Sequence, residues 1–349
     1  NYYNTYFKPN ISYMAVVGDI TLAEAKTLVE KYFGDWEKGE VPTHTYEMPE
    51  QPQATRIAFV NKPGAVQSVI SVFNAIDLKP GTENVVKATI TNGILGGGFV
   101  SKLNLNLREE HSYTYGARSN ISSDKLVGNF SASAKVRNEV TDSALTETMK
   151  ELMNMRNGNI TEDELTTIKN FRTGTFAIGL ENAQTKAQYA INIERYGMDK
   201  DYYANYLTSV AAVTLEDVKK ISADYIKPQN GFILVVGNQE EVADKIKQFS
   251  PTGEIEFYDA FGNVAEENPI KAAPEGVTAE SVINDFLKAI GGKETVEKMK
   301  SVKMEMTVTM GPNALNAVSI HQAPNKYMTA LKMGTITIQE QVYNGEKGR

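Results

Sequence analysis

Residues 107–116 read LREEHSYTYG, and they hold most of the side chains in this chain that could do chemistry. The inverted zinc motif H-x-x-E-H sets two histidines on one helix face as ligands, with the glutamate between them as general base. Glu110 and His111 supply its last two letters, but the first histidine would fall at Leu107, which has no lone pair to give a metal. The other histidines, His44 and His321, lie in separate segments, so no metal site is expected in this chain. Arg108 and Tyr115 suit a different chemistry. A guanidinium fork and a phenol hydroxyl facing one cleft would donate hydrogen bonds to a carbonyl oxygen that gains charge in a tetrahedral intermediate, as helpers in amide hydrolysis. An ordinary surface Arg–Glu pair beside a strand tyrosine fits the spacing too.

Other catalytic frames are missing. Gly96, Gly97 and Gly98 form no G-x-x-x-x-G-K-[ST] or G-x-G-x-x-G pattern, and they follow a helix instead of opening one, so they read as a turn. No G-x-S-x-G elbow occurs. The chain has no cysteine, which removes disulfides, thiolate ligands and thiol nucleophiles together. With 36 Lys and Arg against 43 Asp and Glu, its net charge of -7 has the wrong sign for a nucleic-acid backbone. The longest apolar runs, such as FILVV at 232–236, are strand-sized, and no membrane span is expected.

The elements around the motif are readable. From Glu83 to Leu95 apolar residues follow helical spacing into the glycine turn, and 114–122 with 127–136 alternate as an antiparallel hairpin. Residues 56–60 and 67–74 are β-rich runs that read as neighbouring strands. Helices are expected over 141–156, stopped by Asn157-Gly158, from the capping box at Thr161, and over 182–196, 200–209 and 215–225. Strand pairs followed by helix pairs give an α+β fold, an antiparallel sheet packed by helices.

A repeat organises the chain. YFKPNISYMAVVGD at 6–19 returns as YIKPQNGFILVVGN at 225–238, at a constant offset of 219 residues. Each copy would close on the strand before Val-Val-Gly, at 13–17 and 231–236. The chain then reads as the C-terminal tail of an upstream unit over 1–43, a linker over 44–55, and a complete second unit over 56–248. A second linker over 249–276 leads to a partial helix-plus-antiparallel-sheet domain over 277–349, with a helix at 278–290 and strands at 302–310, 326–331 and 335–343. Starting at Asn1 without a signal-like segment, the chain is expected to be a processed product or an excised piece.

ILGGGFVSKLNLNLREEHSYTYGARS at 94–119 resembles the second-half signature of the insulinase/pitrilysin family of zinc metallopeptidases, which includes mitochondrial processing peptidase. AVQSVI at 65–70, TLEDV at 214–218 and the repeat strengthen the resemblance, which covers about residues 1–248. It implies that an upstream half carries H-x-x-E-H and zinc. This half has lost them and contributes an arginine and a tyrosine seven residues apart across a closed chamber. Arg108 and Tyr115 have that spacing, with Gln67, Gly97, Gly98, Phe99 and Tyr113 expected to line the peptide site. The expected partners are a peptide substrate and the catalytic half, in the same polypeptide or another chain. A catalytically inactive peptide-binding or assembly subunit is the rival. Residues 277–347 more loosely resemble the half-barrel domains of outer-membrane lipoprotein-sorting proteins, which suggests a bacterial cell envelope, the periplasm in particular.

Overall fold

Alternating burial in the β-rich runs puts one face of each strand against helices, and in the computed structural model these strands join into a single six-stranded sheet. The model describes residues 2–265, 274–310 and 313–349, in two units, Asn1–Pro269 and Ile270–Arg349. In the first unit α1 (Tyr2–Tyr6) and α2 (Leu22–Phe33) precede β1 (Arg56–Asn61) and β2 (Gln67–Ile76). Next come α3 (Glu83–Leu95), α4 (Lys102–Asn104) running into a π-helical turn over Leu105–Glu110, and the hairpin β3 (Thr114–Ser122) and β4 (Gly128–Arg137). Five helices follow, α5 (Thr141–Arg156), α6 (Glu162–Gly179), α7 (Ala183–Tyr196), α8 (Tyr206–Ala212) and α9 (Leu215–Tyr225). The unit ends with β5 (Phe232–Gly237), α10 (Gln239–Ile246) and β6 (Glu256–Tyr258).

The strand order is β3-β4-β2-β5-β1-β6. β1 and β2 are therefore not neighbours: β5 lies between them, parallel to β1 and antiparallel to β2. The sheet is mixed, since β6 also joins β1 in parallel, and β6 falls within the stretch read from sequence as a linker. Residues 266–273 of that stretch lie outside the described residues. Arg56 fastens the added strand with a two-point pair, Nε to Glu256 Oε1 at 2.6 Å and Nη2 to Oε2 at 2.5 Å. Ile57, Phe59, Ile70, Val72, Phe130, Ile233 and Val235 are buried on the sheet. α3, α5 and α9 cover it with Ile90, Leu95, Leu145, Leu152, Val218 and Ile221.

Local signals set the helix ends. Thr161 and Glu164 form the reciprocal capping box that opens α6, and Gly158 follows α5 with φ 79°, a conformation that favours glycine. The expected helix at 200–209 is displaced to 206–212, because Asp199 Oδ1 accepts from Asp201 N at 2.7 Å and turns the chain before Tyr206. Residues 13–17, the repeat of β5, form no strand among the described residues, and Tyr13, Met14, Val16 and Val17 are exposed. An extended segment becomes a strand only when its backbone finds partners. β5 has β1 and β2 on its two sides, and no described strand lies beside 13–17.

In the second unit α11 (Ala279–Ala289) and α12 (Lys293–Lys298) precede an antiparallel meander of β7 (Ser301–Met310), β8 (Asn313–Gln322), β9 (Lys326–Met333) and β10 (Ile336–Tyr343). The sequence reading had one helix and three strands here. It passed over β8, whose run NALNAVSIHQ alternates small and polar residues with few large apolar ones.

Candidate functional site

The helix begun at Ser101 changes pitch before it reaches the motif. His111 N donates to Asn106 O at 3.0 Å, five residues back, which gives the wide turn of a π-helix. Leu107 points into the core at 1 % exposure, and the next residue, Arg108, emerges at the surface. Its Cζ stacks 4.3 Å from the Phe99 ring centre, and Nη1 lies 3.1 Å from Glu109 Oε1. Nη1 makes no hydrogen bond to any described residue. The chain then reverses through Ser112, the one non-glycine with positive φ among the described residues, at 56°. Ser112 N donates to Arg108 O at 3.1 Å and Tyr113 N to Leu107 O at 2.8 Å, closing the helix.

β3 starts irregularly. Thr114 Oγ1 accepts from Gly116 N at 3.1 Å and lies 3.0 Å from Gly116 O and 2.8 Å from Lys135 O. The pairing with β4 shifts between Thr114 and Ala117. This bulge turns Tyr115 outward, 95 % exposed.

Two clefts meet at Tyr115. The first, about 490 Å³, is lined by Gln67, Arg108, Glu109, Tyr113, Tyr115 and Arg137, among others. The second, about 480 Å³, has Gly97, Gly98 and Phe99 on one side and Tyr115 to Ser119 on the other. All seven residues named from sequence therefore line one cleft or the other, and the Arg108–Phe99 stack joins the two. Arg137 was not anticipated. It ends β4 opposite Gln67, donates from Nε to Glu139 Oε1 at 2.7 Å and from Nη1 to Ser112 O at 3.2 Å, and so supports the reversal. Its signal was the register of a strand pair, which no local pattern carries.

Behind the cleft, Asn106 Nδ2 donates to Glu147 Oε2 and Glu151 Oε1, both at 2.9 Å, tying the π-turn to α5. His111 stacks on Tyr113, ring centres 5.0 Å apart, with Nε2 3.8 Å from Glu147 Oε2. The hydrogen bond from Lys150, then the one from Asn106, holds the Glu147 carboxyl below its ordinary value. A lowered carboxylate stabilises the fold above its unfolded value of about 4.3 and loses that contribution as pH falls through its folded value. Glu147→Gln is thus expected to lower the urea midpoint at pH 7, by an amount that shrinks as the pH falls through the folded value. An equal gap at pH 7 and at pH 3 would show that the charge of Glu147 does not brace the turn.

The donor set does not fit zinc. Leu107 offers no ligand, and no group of three His, Cys, Asp or Glu among the described residues could hold a metal ion. What the clefts present is three arginines, Arg108, Arg118 and Arg137, and the phenols of Tyr113 and Tyr115, donors suited to carbonyl or carboxylate oxygens. Among the described residues no helix is long and apolar enough to cross a membrane.

Residues 1–171 match the family model described as peptidase M16 inactive domain. A curated relative, "Probable inactive metalloprotease YmfF" of Bacillus subtilis (strain 168), is 25% identical over 216 residues, 59% of this chain and 47% of the relative. The chain thus spans about half the length of the curated relative it matches. Among solved structures, a peptidase M16 inactive domain from Pseudomonas fluorescens aligns with a TM-score of 0.55 at 20% identity, covering 64% of this chain and 52% of that one. The periplasmic protease PqqL from Escherichia coli aligns at 0.51 and 17%, covering 64% and 25%. These two likenesses show the shared α+β fold. The family-model match over residues 1–171 and the curated relative together support an inactive half of the M16 peptidase family, of the C-terminal type.

Proposed function

We propose that this half holds an unstructured peptide across the paired clefts and donates hydrogen bonds from Arg108 and Tyr115 to a carbonyl of that peptide. The chemistry on that carbonyl belongs to a homologous zinc-bearing half, of which residues 1–43 are the tail, in the same polypeptide or in a partner chain. The observation that carries the reading is the convergence of Arg108 and an outward-turned Tyr115 on one open cleft. The repeat of 6–19 at 225–238 supports a pairing of like halves. A cell-envelope setting is part of the proposal and draws on the periplasmic location in the name of one structural neighbour.

A second reading, peptide binding or assembly without catalysis, is favoured by the name of the Bacillus relative as an inactive metalloprotease. Both readings require peptide binding here. Fluorescence anisotropy with a labelled unstructured peptide is expected to show saturable binding that Tyr115→Ala weakens about tenfold, the scale of a lost aromatic anchor. An absence of binding by the parent chain would remove both readings. Hydrolysis by a longer protein holding both halves, and its loss on chelation of zinc, would separate them.

A further inference from the structure

The strands beneath the two clefts carry charge of one sign. β2, β3 and β4 contain no aspartate or glutamate, in a chain whose acids outnumber its bases by 43 to 36. Their charged side chains are Arg118 on β3 and Lys135 and Arg137 on β4, all exposed on the face that alternation turns away from the buried core. Arg137 is matched by Glu139, as Arg108 is by Glu109. Among the described residues Arg118 and Lys135 have no such acid, and neither charged group makes a hydrogen bond.

The register sets these two cations side by side. Arg118 lines the cleft of Phe99 and Tyr115 and pairs across the hairpin with Ser133, so Lys135, two residues on, is its diagonal neighbour. Lys135 also lies opposite the bulge that turns Tyr115 outward. Diagonal neighbours stand about 7 Å apart at Cβ, near enough for unscreened like charges to repel. Cations on an edge strand commonly serve to stop the sheet from extending. β3 does not need them for that, because its outward donors Ala117 N and Ser119 N are already taken by Asn104 Oδ1 at 3.2 Å and Gly96 O at 3.0 Å. What the pair lacks is an anion from outside the chain. We propose that Arg118 and Lys135 make this site selective for peptides that carry two acidic side chains flanking a single residue. An extended peptide presents same-side residues about 6.6 Å apart, close to the separation of the two cations. This rests on the peptide-binding reading above and names the substrate class.

The test uses fluorescence anisotropy with the full chain and three labelled, C-terminally amidated peptides that differ only in holding Glu-x-Glu, Gln-x-Gln or Lys-x-Lys at their centre. Amidation removes the terminal carboxylate as a rival anion. The parent is expected to bind the Glu peptide about fivefold more tightly than the Gln peptide at low salt, the scale of two exposed ion pairs, and to lose most of that preference at ~0.5 M salt. The double variant Arg118→Glu with Lys135→Glu should reverse the order in favour of the Lys peptide, and Arg118→Gln with Lys135→Gln should erase it. Both should melt within about 3 °C of the parent, since exposed side chains without partners contribute little to stability. Equal binding of the three peptides by the parent would overturn the proposal and leave the peptide reading standing. A preference for the Glu peptide that survives in both double variants would overturn it too, because other cations would then carry the selectivity. A parent that binds none of the three would overturn both.

Discussion

In a protein that pairs this half with a zinc-bearing half, Arg108→Ala is expected to lower kcat/KM about 100-fold, the usual loss when one donor to a developing oxyanion is removed. Stability should change little. The side chain stacks on Phe99 and pairs with Glu109 at the surface, and truncating a partly exposed residue away from the core usually shifts stability by less than about 0.5 kcal/mol. Arg108→Lys should recover only part of the activity, because an ammonium neither stacks on Phe99 as a planar fork does nor presents two parallel donors. Steady-state kinetics with a quenched fluorescent peptide would check this. A kcat/KM within about twofold of the parent for Arg108→Ala would remove Arg108 from the chemistry and leave it a surface pair with Glu109.

The parts of the fold that were legible in sequence are those set by neighbours along the chain. Thr161-x-x-Glu164 and Asn157-Gly158 specify helix ends through groups three or four residues apart, and both stand where the pattern put them. The slot of β5 was not legible. Its apolar run announces a strand, but insertion between β1 and β2 depends on pairing with residues more than 150 positions away, which leaves no local trace. The candidate site divides the same way. Arg108 and Tyr115 were legible as candidates because one short turn carries both and the stretch around it resembles a known signature, whereas Arg137 enters through the register Gln67 to Arg137 across two strands. The bulge at Thr114 was equally hidden, since a threonine hydroxyl engaging Gly116 looks in sequence like any strand threonine.

Leu107→His writes the complete H-x-x-E-H across residues 107–111, and it is expected to yield no zinc site and a less stable protein. In a regular α-helix, positions four apart share a face, which is how the motif aims two imidazoles at one ion. Here the segment is a π-turn, and the two positions part: Leu107 goes into the core, while His111 stacks on Tyr113 near Glu147. An imidazole at 107 would sit at the 1 % exposed position of a leucine, within the buried core that also holds Leu103 and Leu145. It would lose the apolar contacts of the leucine and bury ring nitrogens without partners, a combined loss of about 2–4 kcal/mol. Urea denaturation would read that loss as a lower midpoint at unchanged slope. Zinc titration by calorimetry should give no heat beyond dilution. Tight binding of zinc, with recovery of stability, would mean that the π-turn can rewind into an α-helix when a metal rewards it. The reading of LREEHSYTYG would then change from a stretch shaped to hold Arg108 and Tyr115 to a metal site one substitution from function.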